Sequence, residues 1–158
     1  MAVIFSKTEA TISLFQIEEL ENFFGFIFPD EYKKHLQKNN GGQCTPNMFG
    51  FNERGKQTYS SIDWFLAIYD GEYDNLEDYI ITYKVKEKRL PSHILPIAHD
   101  PGGNLICISC GNNDYGYVYF WDHESEVNYN ISNNNDYGNL HLIAKGLNEF
   151  IDSLKEEI

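Results

Sequence analysis

One stretch of this chain, Ile94–Glu124, constrains the fold more than any other. It begins with an apolar run that ends at a Pro101–Gly103 turn, and Leu105–Cys110 follows as a run that is apolar on both alternating faces. Such a run is typical of an interior strand, because both of its faces are covered. Gly111–Gly116 is a polar turn, and Tyr117–Trp121 returns as a partner strand. The stretch therefore predicts an antiparallel framework at the centre of a sheet.

Two helices are predicted near the start of the chain. The first is indicated by apolar residues at helical spacing opposite a run of acids: Ile17, Leu20, Phe23 and Phe24 against Glu18, Glu19 and Glu21. Gly25 is placed to end it, since glycine readily adopts the left-handed conformation that follows many helices. The second helix begins at Pro29 with acids in its first turn, where they complement the helix dipole, and it ends at Asn40–Gly42.

The remaining segments complete an α+β pattern. Two more helices are indicated by apolar stripes, one after the capping residues Asp74 and Asn75 and one at the C-terminus: Leu76, Tyr79, Ile80 and Tyr83, then Ile143, Leu147, Phe150, Ile151 and Leu154. Tyr59–Tyr69 alternates with period two and predicts one strand, and Val127–Ile131 predicts another. Cys44–Gly55 and Asn133–Asp136 are predicted as loops. With no repeat or linker, we expect a single domain over residues 1–158, with its core at 16–155.

The charge balance limits the classes of partner. Lys and Arg number 12 against 24 Asp and Glu, so the formal net charge is −12. This charge repels nucleic-acid phosphates, so we expect no direct nucleic-acid binding, and a basic protein is the natural partner. The alternative is that acidity only maintains solubility. The basic cluster Lys84–Arg89 is predicted to be the solvated end of a helix. No stretch is long enough to span a membrane, and a cytoplasmic location is expected.

Three groups of residues resemble catalytic or metal sites, and each favours a structural interpretation. Cys107 and Cys110 have redox or zinc spacing, but on a strand they point to opposite faces, and a zinc site needs further ligands. The pair His99-Asp100 and the run Asp122–Glu124 lack the additional His and Asp of metal hydrolases. We therefore predict no catalytic residues, no metal and no cofactor. The enzymatic alternative would place a metal at His99, Asp100 and His123.

The strand Tyr117–Trp121 carries large aromatic residues on both faces. Tyr117, Tyr119 and Trp121 share one face, whereas Val118 and Phe120 share the other. If Val118 and Phe120 point inward, the Tyr-Tyr-Trp row is either buried by helices or presented in a groove. Tyr and Trp dominate the energetic centres of protein interfaces, but they are also major core fillers. Both interpretations remain open from the sequence.

Three blocks of the sequence together resemble one protein family. They are Phe28–Lys33 with Leu36 and Asn40–Gly42, then Leu95–Ala98 with Asp100, Gly102–Asn104 and Ile106–Ile108, and finally Gly116–Glu124. In this order, and with the helix around Phe150–Leu154, the chain resembles the SUKH superfamily, the Smi/Knr-type domain. The resemblance covers roughly residues 16–155 and implies a mainly antiparallel mixed sheet flanked by N-terminal helices and a C-terminal helix.

The resemblance also implies a function. Bacterial members neutralise a cognate polymorphic toxin, often a nuclease domain, by binding to it, which makes a basic toxin protein the expected partner. The contact residues predicted on this basis are Asp100, Tyr119, Trp121, Asp122 and Glu124, with acids pairing to Lys or Arg and aromatics acting as apolar contacts. The alternative within the family is a regulatory interaction module in a signalling or cell-wall pathway. The oligomeric state is left open.

Overall fold

The stretch Ile94–Glu124 supplies the three central strands of a five-stranded sheet in the computed structural model, which describes residues 2–125 and 138–156. The strands are β1 (Ile4–Ser6), β2 (Gln43–Thr45), β3 (Met48–Glu53), β4 (Lys56–Ser61), β5 (Trp64–Phe65), β6 (Ile94–His99), β7 (Leu105–Ser109), β8 (Val118–Trp121) and β9 (Leu140–Ala144). The large sheet has the order β5-β6-β7-β8-β9, and β1-β2 and β3-β4 form two small sheets. The named strands pair antiparallel, and one isolated parallel bridge joins Ala67 to Asn75. The predicted central framework is confirmed.

Four α-helices lie within the described ranges: α1 (Leu14–Phe24), α2 (Asp30–Lys38), α3 (Leu76–Ile80) and α4 (Leu147–Asp152). A π-helix, Ile81–Lys86, continues α3, and a 3-10 turn covers His123–Ser125. The predicted C-terminal end of α1 is confirmed, since Gly25 follows the helix with φ of 82°. The predicted start of α3 is also confirmed, since the Asn75 side chain accepts a hydrogen bond from the Asp78 amide. None of the helices described in residues 2–125 and 138–156 is both long and apolar enough to cross a membrane.

Helices and strands cover both faces of the large sheet. On one face Ile106, Ile108, Val118 and Phe120 pack in the main core with residues of α1, α2, α4 and β3. On the other face a smaller cluster, which includes Tyr119 and Trp121, is flanked by Tyr79 of α3 and Tyr83 of the π-helix. The predicted α+β architecture is therefore confirmed, with a sheet sandwiched between two apolar layers.

The loop predicted at Cys44–Gly55 is wrong, because β3 and β4 form a hairpin there. Glu53 pairs with Lys56, so only Arg54 and Gly55 connect the strands. Both residues have positive φ, 53° and 87°, as a two-residue hairpin turn requires. Phe49 and Phe51 point into the main core, which is the driving force for the hairpin.

The single strand predicted at Tyr59–Tyr69 is also wrong. The chain leaves the small sheet at Ser61, the end of β4, and enters the large sheet at Trp64 in β5. Asn47 fixes this crossing, because its carbonyl accepts from the Ile62 amide at 2.9 Å and its side chain donates to the Ile62 carbonyl at 3.1 Å. A single stretch of period-two alternation thus contributes strands to two different sheets.

Two helix details differ from the prediction. In α1 the buried face contains Ile17, Leu20 and Glu21, whereas Phe23 is 73% exposed. Residue Ile143 belongs to β9, and α4 begins four residues later. The predicted strand Val127–Ile131 and the loop after it lie outside the described residues.

Candidate partner-binding site

The acids predicted to contact a partner gather at one end of the large sheet. Trp64, His99, Leu105, Trp121 and Leu140 lie side by side across five strands at this end. The acids adjoin this row along the chain: Asp63 precedes β5, Asp100 follows β6, and Asp122 and Glu124 follow β8. Neighbouring strands are about 4.8 Å apart, so the acids border one continuous region. We call these four residues, together with Asp74, the acidic end.

Asp100 shapes the turn between β6 and β7. Its carboxylate accepts hydrogen bonds from the Gly102 amide at 2.9 Å and from the Asn104 amide at 2.8 Å. It also accepts from the Asn104 side chain at 2.9 Å and from the Ser60 hydroxyl at 2.8 Å. Only 5% of Asp100 is exposed. This carboxylate is therefore occupied by the turn and by β4, and its contact with a partner stays a prediction.

Asn104 connects that turn to the segment after β8. Its side-chain oxygen accepts from the His123 amide at 3.1 Å and lies 2.6 Å from His123 Nδ1. Asp122 in turn accepts from the Glu124 amide at 3.0 Å. Asp122 is half-buried and Glu124 is exposed, so both acids lie on a surface that the Asp100 turn positions. Their contact with a partner also stays a prediction.

His99 lies between two acids of the acidic end, Asp63 and Asp74. Its Nε2 lies 2.6 Å from Asp74 Oδ1, and its Nδ1 lies 3.7 Å from Asp63 Oδ2. The ring stacks on Tyr79 of α3, with centroids 6.1 Å apart. A histidine in this position fixes the loop before α3 against the sheet.

Residues 70–78, a loop followed by the first turn of α3, extend the negative surface, and sequence reasoning missed them as part of a site; we call this segment the acidic loop. It contains Asp70, Glu72, Asp74, Glu77 and Asp78, all but Asp74 exposed. Asn75 organises the loop by donating to the carbonyls of Tyr69 at 2.9 Å and Gly71 at 3.0 Å. Tyr73 is exposed at its tip. The sequence signal for this part of the site was the presence of five acids in nine residues next to the aromatic Tyr73.

Tyr119 and Trp121 lie beneath the surface, because helices bury the Tyr-Tyr-Trp face. The Tyr119 hydroxyl donates to Asp114 Oδ2 at 2.6 Å in a buried cluster. Trp121 has no exposed area, and the Arg89 guanidinium lies 5.1 Å from its ring centroid, with Tyr83 edge-on at 5.7 Å. A partner would reach Trp121 only after Tyr83 of the π-helix and Arg89 moved away. Their predicted contacts are untested.

The basic cluster Lys84–Arg89 is the predicted solvated helix end only at Lys86 and Lys88, because Lys84 and Arg89 are partly buried. Lys84 donates to the carbonyls of Pro91 at 3.2 Å, Ser92 at 2.6 Å and Ile94 at 2.7 Å. Burial lowers the pKa of Lys84 to about 8. Lys84 and Arg89 thus attach the π-helix to the sheet, and exposed positive charge remains at Lys86 and Lys88.

The groups that resemble metal or redox sites are dispersed. Cys107 lies in the smaller cluster and Cys110 packs against the main core, so they face opposite sides as predicted. Burial raises the pKa of Cys110 to about 12, which favours the thiol. His99 and His123 bond to Asp74 and Asn104. In residues 2–125 and 138–156, no three His, Cys, Asp or Glu side chains are grouped to hold a metal ion.

Comparison with known proteins agrees with this architecture. The model of the SMI1 / KNR4 family (SUKH-1) matches residues 11–153. A curated relative from Bacillus subtilis (strain 168), the SPbeta prophage-derived uncharacterized protein YokK, is 29% identical over an alignment of 158 positions that covers 90% of this chain and 74% of the relative. The matched segment contains α1, the large sheet and α4. The chain belongs to the SMI1 / KNR4 family (SUKH-1).

Proposed function

We propose that this chain is an immunity protein that binds a cognate polymorphic toxin, specifically a basic nuclease domain, and neutralises it by contact. It works in the cytoplasm as a single domain over residues 1–158, without a cofactor and without catalysing a reaction. Asp122 and Glu124 pair with Lys or Arg of the toxin. Family membership supports a protein-binding role.

The observation that carries the proposal is the acidic end, with the acidic loop beside it. Asp122 and Glu124 are positioned by hydrogen bonds that begin at the buried Asp100 and pass through Asn104. A nuclease must be basic where it holds phosphate, so a fixed group of carboxylates complements that surface. Complementary charge accelerates encounter and suppresses wrong partners. The net charge of −12 adds a long-range field of the same sign.

Co-expression tests the proposal directly. The proposal predicts that a nuclease-like toxin domain is encoded beside this gene, and that domain is expressed in a bacterial host with and without the chain while growth is measured. We expect growth to be restored by the chain and the two proteins to co-purify. The variant Asp122→Asn/Glu124→Gln should slow association on the order of tenfold at low salt, because it removes two steering charges.

A variant with the same change of charge elsewhere is the control. Glu149→Gln/Glu156→Gln alters two exposed acids outside the acidic end and should associate at nearly the wild-type rate. If the wild-type chain neither restores growth nor forms a complex with the toxin domain, neutralisation is refuted. This is the outcome that the regulatory alternative predicts. Equal slowing by both pairs would instead assign the effect to net charge alone.

A further inference from the structure

The segment between α1 and α2 exposes apolar side chains in a way that the core does not require. Residues 23–28 read Phe-Phe-Gly-Phe-Ile-Phe, five large apolar side chains in six positions. Of these, Phe28 is fully buried, whereas Phe23 is 73% and Ile27 is 64% exposed. Clusters of exposed apolar residues on a soluble domain mark interaction sites more often than isolated ones do.

This segment is held in one conformation by local bonds. Gly25 adopts φ of 82° and donates its amide to the Glu21 carbonyl at 2.8 Å, which ends α1. The Glu21 carboxylate, itself only 7% exposed, accepts from the Phe28 amide at 2.7 Å and lies 3.2 Å from Lys33 Nζ. A preorganised loop loses little conformational entropy when a partner covers it.

A continuous series of rings connects the exposed end of the segment to the core. Phe23 contacts Phe24 with centroids 4.9 Å apart, and Phe24 stacks with Phe26 at 6.4 Å. Phe26 then packs on Phe28 at 5.8 Å. Phe23 is therefore supported from beneath by side chains that are themselves packed, as an interface residue of high energetic weight requires.

Other exposed side chains extend this apolar region on both sides. Phe15, 68% exposed, lies just over two turns before Phe23, and residues eight apart differ by only about 80° around a helix, so they lie on neighbouring parts of its surface. On the other flank the Tyr115 hydroxyl donates to the Ile27 carbonyl at 3.3 Å. We define the aromatic surface as Phe15, Phe23, Ile27 and Tyr115.

Acids adjoin the aromatic surface and identify the charge of its occupant. Glu18 and Glu19 are exposed on α1 between the two phenylalanines, and Asp30 is exposed at the start of α2. The neighbouring cation Lys33 is paired with Glu21. A two-fold contact between copies of this chain repeats the same patch on both sides, so it would oppose acid to acid. A partner with an apolar centre and basic neighbours fits instead.

We propose that the toxin domain docks on the aromatic surface, with Phe23 and Ile27 as its main apolar contacts. This inference rests on the proposed function for the identity of the partner. Tyr115 follows the C-terminal end of β7, which lies at the opposite end of the sheet from the acidic end. The length of strand β6 places these two ends of the sheet about 17 Å apart. The aromatic surface therefore supplies short-range contact energy that the acidic end, acting through charge, does not.

The test measures the dissociation constant of the purified chain and the toxin domain encoded beside its gene. Phe23→Ala/Ile27→Ala should weaken binding on the order of 100-fold, since two central apolar contacts are lost. Ile4→Ala/Tyr59→Ala removes an exposed aliphatic and an exposed aromatic side chain elsewhere and should change the constant less than about threefold. Because all four residues are exposed, both variants should keep the wild-type melting temperature.

The outcomes separate the two proposals. If wild-type chain forms no complex, the proposed function fails. If wild-type chain binds and Phe23→Ala/Ile27→Ala binds equally well, the aromatic surface is overturned while the proposed function survives. Sedimentation of the chain alone gives a further check: a wild-type dimer that Phe23→Ala/Ile27→Ala dissociates would make a second copy the occupant and would overturn the inference.

Discussion

Substitution of Asp100 by alanine should destabilise the chain by removing the acceptor for four hydrogen bonds. Two of the donors are amides of the β6–β7 turn, Gly102 and Asn104, and two are the side chains of Asn104 and Ser60. The carboxylate is nearly enclosed, so these bonds are made with little competition from water in the folded chain. Asp100→Ala leaves the donors in a partly exposed turn, where water reaches them.

The structure sets the size of the effect. A hydrogen bond to a charged acceptor contributes about 1.5–3 kcal/mol, and rehydration of the freed donors recovers part of the total. We expect Asp100→Ala to lower the free energy of unfolding by about 3 kcal/mol, or the melting temperature by about 6–12 °C for a chain of this length. Urea unfolding followed by fluorescence is suited to the measurement, because Trp121 is fully buried.

Asp122→Ala is the matched control for this prediction. Asp122 is half-buried and accepts a local bond from the Glu124 amide, so its loss should lower the free energy of unfolding by only about 0.5 kcal/mol. Asp100→Asn keeps one acceptor oxygen and should fall between wild type and Asp100→Ala. If Asp100→Ala unfolds at the wild-type urea concentration, the carboxylate does not organise the turn and the reasoning is refuted.

Two further predictions concern buried side chains. Burial, and to a lesser extent Lys38, lowers the pKa of His35 below its ordinary value to about 4. Because the folded chain holds this ring in its neutral form, the free energy of unfolding is highest above pH 6.5 and falls as the pH is lowered. Urea unfolding should show that the free energy of unfolding of the wild type falls by about 2 kcal/mol by pH 5, and that His35→Phe lacks this fall. The same dependence of the free energy of unfolding on pH in both proteins would contradict the prediction. Trp121→Ala should lower the free energy of unfolding by about 3–5 kcal/mol through the cavity it creates, and Trp121→Phe by less. An unchanged denaturation midpoint for Trp121→Ala would disprove the burial.

The sequence predicted the central framework because it combines signals that act locally. Leu105–Cys110 is apolar on both faces, and glycine-containing turns border it, so an interior strand was the simplest structure that buries it. The ends of α1 and α3 were predictable for the same reason, since Gly25 and Asn75 act on their own helices. Local chemistry of this kind needs no knowledge of the rest of the fold.

Two positions of α1 were predicted wrongly because residue type alone does not decide which side chain is buried. Glu21 was assigned to the outer face of α1 as a charged residue, yet it is buried because Phe28 and Lys33 supply a donor and a counter-charge. Phe23 was assigned inward as an apolar residue, yet six positions after Ile17 it lies well away from the buried stripe. Residue type alone therefore reversed these two positions.

The candidate site was predictable in part. Asp122 and Glu124 were identified from the family blocks and lie at the surface, whereas Trp121 was proposed for contact and lies under the π-helix. A strand pattern shows that two faces alternate, but not which of them a helix distant in sequence will cover. The acidic loop was overlooked because its acids follow no period, and only the fold brings one of them, Asp74, beside His99.

The central claim, that this chain is a neutralising binding protein, is tested most directly by calorimetric titration of the purified chain into the toxin domain encoded beside its gene. We predict a saturable complex whose dissociation constant is about 1 μM or tighter and increases about tenfold or more from about 0.05 to 0.5 M salt, because salt screens the contribution of the acidic end. Titrations without binding at either salt concentration would contradict the claim.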